Sequence, residues 1–196
     1  VNFAEKNYPE MLPHLSTTKS PQQCLGAMAK SYLSEKMGID RTKMRVISIM
    51  PCTAKKGEAR REEFERDGVP EVDVVISTRE FARLLKREGI RLAKLDESTF
   101  DNPWMGDYSG AAAIFGTTGG VMEAALRTVH KVVTGSELER IELTEVRGLA
   151  NIREARVDLS PELGEVKVAV AHSLKAAREL IEAIKKGDVL YHFVEV

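Results

Sequence analysis

Cysteine is scarce in this chain, with two in 196 residues, Cys24 and Cys52. Two cysteines make no disulfide framework, and a reducing, cytoplasmic setting is the expectation. Long apolar runs are missing too. None approaches the about 18 residues of a membrane-crossing helix, so no membrane span is expected, and no signal peptide is visible. An excess of either charge is absent, Lys+Arg 29 standing against Asp+Glu 30. Aromatic residues are 6% of the chain and do not interleave with a basic stretch, which excludes a nucleic-acid groove. The histidines are His14, His130, His172 and His192, and none has ligand spacing to another or to a cysteine. A zinc site is therefore not expected. Repeats and low-complexity segments are also lacking.

What is present is alternation of short apolar strands with capped helices. Val1–Glu10 reads as a helix with its start cut short. Ser20-Pro21-Gln22-Gln23 is a helix start with a capping box, and Leu25, Met28, Ala29, Tyr32, Leu33 and Met37 follow at helical spacing until Gly38. Met28, Met37 and Met122 are read as core. Val46–Met50 predicts a buried strand, Val72–Ile76 a second, and Ser77-Thr78-Arg79-Glu80 caps a helix carrying Phe81, Leu84 and Leu85. Residues 91–110 read as a loop and as the divide between a first lobe, 1–100, and a second, 101–196. Beyond it, Gly116–Gly120 opens a helix closed by Gly135. Ile141–Arg147 and Glu165–Ala171 predict strands, with a weaker extended stretch at Ala155–Leu159. Ser173 starts a helix ended by Gly187, and Tyr191–Val196 is a last strand. The pattern predicts an α/β fold of two lobes, each a small, mostly parallel sheet flanked by helices.

The chemistry concentrates in Met50-Pro51-Cys52-Thr53-Ala54-Lys55-Lys56-Gly57-Glu58, directly after the first strand. Ligands of open α/β sheets bind outside the carboxyl ends of strands. Ammonium groups beside a thiol favour the thiolate, the form that attacks electrophiles or ligates soft metals. The competing reading of Cys52 is a buried structural thiol. Cys24, without a charged neighbour, reads as a small core or surface thiol. Gly116-Thr117-Thr118-Gly119-Gly120 offers backbone N–H groups of the kind that bind anions. It matches neither dinucleotide nor P-loop spacing, and a turn that lets backbone pack closely explains it equally.

Together these motifs resemble one family. Met50–Glu58 looks like the Met-Pro-Cys-x-x-Lys-x-x-Glu signature of the iron-only ([FeFe]) hydrogenase large subunit. The likeness runs on through Ser20–Gln23, Thr78-Arg79-Glu80, Ser109-Gly110-Ala111, Phe115–Glu123 and Glu145-Val146-Arg147-Gly148, in order over essentially the whole chain. The resemblance implies reversible reduction of protons to dihydrogen at an H-cluster, a [4Fe-4S] cubane joined through a cysteine to a di-iron unit with carbonyl and cyanide ligands. It implies an electron carrier such as ferredoxin as partner. By the same likeness Cys52 is one cubane thiolate and Lys55 donates to a cyanide. Glu58 and Ser16 belong to a proton relay. Met50, Pro21 and Phe115 line the di-iron pocket together with Gln22 or Gln23, and Gly119 and Gly120 bind the cofactor. The site is expected in the cleft between lobes.

The family's other cluster cysteines come from a Thr-Ser-Cys-Cys-Pro signature before this segment and a Cys-x-x-x-Cys signature after it. The chain thus reads as the middle of an H-cluster domain, expected by itself to hold no H-cluster and to evolve no hydrogen. Apolar surface is expected near Val1–Tyr8 and Phe193–Val196, where it invites self-association. Two alternatives stay open. One is a hydrogenase-like iron–sulfur protein acting in cluster assembly, against which Lys55, Glu58 and Gly119-Gly120 count. The other is a non-catalytic, metal-free scaffold that binds a partner.

Overall fold

The computed structural model describes residues 1–138, 141, 144–146, 151–160 and 164–196. It forms two compact units, Tyr8–Asp107 with Val1, and Tyr108–Val196 with Asn2–Asn7. The short helix α1 (Asn2–Asn7) belongs to the second of these. Within that unit Arg178 lies over the Phe3 ring.

In the first unit a helical run starts as α2 (Pro21–Met28), passes through a π-helical turn at Ala29–Leu33 and ends as α3 (Ser34–Lys36). Strand β1 (Ile47–Met50) then leads into α4 (Ala54–Glu58). The two-residue strands β2 (Glu65–Arg66) and β3 (Val69–Pro70) form a hairpin. Strand β4 (Val74–Ser77) lies parallel to β1 in the register Ile47↔Val74 and Ile49↔Ile76. The predicted capping box closes on α5 (Thr78–Arg87): the Ser77 hydroxyl accepts from Glu80 N–H, and the Glu80 carboxylate accepts from Ser77 N–H.

Two expectations for this unit are corrected. The apolar stripe of α2 is not its packed face: Leu25 is 57% and Met28 48% exposed, and Tyr32 and Met37 are exposed too. The buried face is Gln22, Gln23, Gly26, Lys30 and Ser34. Two contacts fix that choice. A Cβ on Gly26 would lie 2.6 Å from the Glu71 carbonyl oxygen, so the helix backbone rests directly on Glu71–Val72. One turn on, Lys30 is 1% exposed and its ammonium reaches Asp73 at 2.7 Å and the Pro70 carbonyl at 2.5 Å. The second correction concerns β1, which is not buried; Ile47 is 62% exposed and Ile49 is exposed as well.

The second unit holds α6 (Gly110–Ile114), α7 (Gly120–Thr134), β5 (Thr144–Glu145), β6 (Ile152–Ser160), β7 (Gly164–Ala171), α8 (Leu174–Lys186) and β8 (Phe193–Glu195). Its sheet has the order β5-β6-β7-β8. Alternation along β7 sends Val168 and Val170 to a core with Met122 and Leu126 of α7. Ala169 and Ala171 go to a second core with Ala176, Ala177 and Leu180 of α8. The sheet is therefore sandwiched, and the small residues on the α8 side let helix and strand approach closely. The predicted α/β class holds, but the strand directions here are mixed. β7 and β8 are parallel across α8, whereas β5–β6 and β6–β7 are antiparallel. Ser160 and Gly164 pair across a short connection, which joins strands only in antiparallel fashion. Arg147 and Gly148 lie outside the described residues.

Candidate functional site

The loop singled out in the sequence leaves the carboxyl end of β1, where a ligand of a parallel sheet is expected. Met50, half-buried, is the last residue of β1 and pairs with Ser77. Cys52 follows as an exposed free thiol two residues before α4. This excludes the buried structural thiol. The two ammonium groups near it are engaged with carboxylates: Lys55 Nζ meets Glu58 Oε2 at 2.6 Å, and Lys56 Nζ meets Glu80 Oε1 at 2.6 Å. Hydrogen bonding to Lys56, then to Ser77 N–H, holds the Glu80 carboxyl down at about 2, well below its usual 4.5.

The start of α2 packs against this loop through polar contacts. The Ser20 hydroxyl donates to Glu58 Oε1 while its oxygen accepts from Gln23 N–H at 3.4 Å. Gln22 bridges the other way. Its Oε1 accepts from the Ser48 hydroxyl of β1 at 2.7 Å, and its Nε2 donates to the Lys55 carbonyl at 3.5 Å. Gln23 is fully buried, and neither its Nε2 nor its Oε1 has a hydrogen-bond partner among the described residues. The predicted capping box at Ser20 is thus half made: the serine caps, and the glutamine does not return the bond.

The other expected site residues fall elsewhere. Pro21 is the exposed first residue of α2. Ser16 is exposed and its hydroxyl oxygen accepts from Thr18 N–H at 3.1 Å; the hydroxyl bonded to Glu58 is that of Ser20. Cys24 is an exposed thiol with its sulfur 3.4 Å from the Lys19 carbonyl oxygen. Phe115, Gly119 and Gly120 belong to the second unit.

The glycine turn is not an open anion cradle. Glu195, at the end of β8, already fills it, one carboxylate oxygen accepting from Gly119 N–H at 3.0 Å and the other from Met122 N–H at 2.7 Å. Gly119 adopts φ +81° there. A Cβ on Gly120 would lie 1.7 Å from the Ile114 carbonyl oxygen. The left-handed backbone explains Gly119 and close backbone approach explains Gly120. Nothing in the sequence pairs Glu195 with a turn 76 positions earlier; only the placement of β8 does so.

Comparison with known proteins supplies the family. All 196 residues match the model of the iron only hydrogenase large subunit, C-terminal domain. The chain belongs to this family. The chain is 46% identical over 196 residues to the NADP-reducing hydrogenase subunit HndD of Solidesulfovibrio fructosivorans, covering 100% of itself and 33% of that protein. It superposes on a solved variant of apo [FeFe]-hydrogenase HydA1 from Chlamydomonas reinhardtii with a TM-score of 0.81 at 42% identity, covering 98% of itself and 55% of that chain. A probable cytosolic Fe-S cluster assembly factor of Aedes aegypti is 30% identical over 203 residues, with 100% of this chain and 42% of that protein covered. The chain thus spans about half the length of the solved relative and a third of the first curated one.

The donor set bears directly on the cofactor that the family name implies. Among the described residues no three His, Cys, Asp or Glu side chains group to hold a metal ion, and the loop offers one cysteine. A four-iron cubane takes four ligands. Cys52 fits one position of such a ligand set and not a whole cluster. No described helix is long and apolar enough to cross a membrane.

Proposed function

We propose that this chain forms part of the H-cluster domain of an iron-only hydrogenase, an oxidoreductase that reversibly reduces protons to dihydrogen. The observation that carries the reading is the family match over the full chain together with its geometric counterpart: an exposed cysteine at the carboxyl end of a parallel strand, with a lysine one turn on. When bound, the [4Fe-4S] cubane and the di-iron unit supply electron storage and the centre at which protons are reduced. Cys52 acts as one thiolate of the cubane. Lys55, now 2.6 Å from Glu58, presents a charged donor to an anionic ligand of the di-iron unit. Met50 and Pro21 line that unit on the side of the first compact unit. Gln23, with an unspent amide, suits the wall better than Gln22, which is engaged with Ser48 and Lys55. Glu58 with Ser16 stands in the proton relay, and an electron carrier such as ferredoxin serves the whole protein. A cytoplasmic, anaerobic setting is proposed on the low cysteine content and the nature of the cluster.

The test is anaerobic iron–sulfide reconstitution of this chain and of a version extended to carry the flanking cysteine signatures. The extended form should bind about four irons in a cubane and the chain alone should not. Cys52→Ser in the extended form should abolish that cubane. A cubane indifferent to Cys52→Ser, or a stable one on the chain alone, overturns the assignment. The relation to a cluster assembly factor at 30% identity favours a second reading, in which a cubane is held without hydrogen chemistry. Hydrogen evolution by the matured extended protein decides between the two.

A further inference from the structure

We propose that Ser20 is a positioning residue for the Cys52 loop, tethering α4 to the start of α2 through Glu58. The inference deepens the reading of that loop as the cluster site and rests on it for its functional meaning alone.

The sequence gives Ser20 one task, capping α2, and a cap needs only an acceptor oxygen. A serine hydroxyl has a proton to give as well. Here the oxygen takes Gln23 N–H and the proton goes to Glu58, 38 positions away. Glu58 spends its other oxygen on Lys55 Nζ. One carboxylate therefore links the start of α2, the lysine of the loop and the last residue of α4. Aspartate at position 20 would cap equally well but would set a second carboxylate against Glu58. Glycine would cap nearly as well and give nothing to it.

The tether matters because α4 has five residues, too few to hold itself as a helix. Among its described polar contacts to α2 and Ser20 are two, Glu58 to Ser20 and the Lys55 carbonyl to Gln22 Nε2. The second is at the limit of hydrogen-bonding distance at 3.5 Å. On the α2 side Ser20 is thus the main tether, while Lys56 separately ties α4 to Glu80 at the start of α5. Since Cys52 runs into α4 through Thr53, releasing α4 releases the thiol from its place relative to α2.

Amide hydrogen exchange on the 196-residue chain tests this. The probes are Lys56, Ala59 and Arg60, whose N–H groups bond within the α4 turn, against the amides of α2. Ser20→Gly should speed exchange in α4 at least fivefold and change α2 less than twofold. Ser20→Thr, which keeps both bonds, should match the wild type in both. Glu58→Ala should loosen α4 to the same extent, and the Ser20→Gly/Glu58→Ala double variant should go no further than either single change. Loosening confined to α2 in Ser20→Gly, or an α4 unmoved by Glu58→Ala, overturns the proposal. If Ser20→Gly fails to fold, Glu58→Ala alone still decides. No metal enters these measurements, so their outcome is separate from that of the reconstitution.

Discussion

At the scale of single residues, the strongest constraints come from side chains whose partners are far away in the chain. Lys30 illustrates this. Its ammonium is buried between Asp73 and the Pro70 carbonyl, and Asp73 also accepts from Val46 N–H at 2.7 Å, at the head of β1. Lys30→Ala leaves a mostly buried carboxylate without its nearest cation. The expected loss is about 3 kcal/mol of stability in chemical denaturation, larger than the about 1 kcal/mol typical of a point change. Gly120→Ala places a methyl group against the Ile114 carbonyl and should cost at least about 3 kcal/mol, read the same way. Glu195→Gln keeps the shape of the α7 cap but removes its charge from the helix N-terminus. A loss of about 1 kcal/mol is expected, smaller in high salt.

Secondary-structure elements show where local signals suffice. The capping box of α5 was legible in Ser77-Thr78-Arg79-Glu80 because serine and glutamate at that spacing satisfy each other's backbone N–H groups whatever surrounds them. Its pH dependence belongs to the same scale. Folding lowers the Glu80 carboxyl from 4.5 to about 2, so the ionised form is the one the fold favours. Its contribution is full above about pH 4.5 and is lost as the pH falls toward about 2. Denaturation of the wild type and of Glu80→Gln at stepped pH should therefore show a gap above pH 4.5 that closes near pH 2. A gap independent of pH would contradict the Lys56–Glu80–Ser77 arrangement. The run from α2 to α3 teaches the reverse. Its period and its start were readable, but not its orientation, because a glycine contact and a buried lysine outweighed the apolar stripe.

On the scale of the whole molecule, uncovered apolar surface is prominent. Leu25, Met28 and Tyr32 on the first helical run, Ile47, Ile49 and Val74 on the two-stranded sheet, and Val1, Phe193 and Val196 at the chain ends are all exposed. Ala4 and Tyr8, also near the start, are buried. A two-stranded sheet is marginal by itself, and exposed apolar residues in such number favour association. Light scattering should show an apparent mass that rises with concentration. Charged replacements at Leu25 and Met28 should lower it, while a mass fixed at one chain at all concentrations would contradict the expectation.

The sequence by itself determined the alternating α/β pattern, most helix boundaries, the family and the cysteine loop at a strand end. Pattern, boundaries and loop rest on neighbours within a few positions, through capping, periodicity and a contiguous motif, and the family rests on several such motifs in order along the chain. Only the tertiary structure decided which face of α2 packs, that β6 turns back antiparallel to β7, and that Glu195 rather than a ligand fills the Gly119 turn. It also decided that Glu58 meets Ser20. Each of these is a contact between segments tens of residues apart. Burial and desolvation choose such a partner among many local equals, and they act only once the chain has folded.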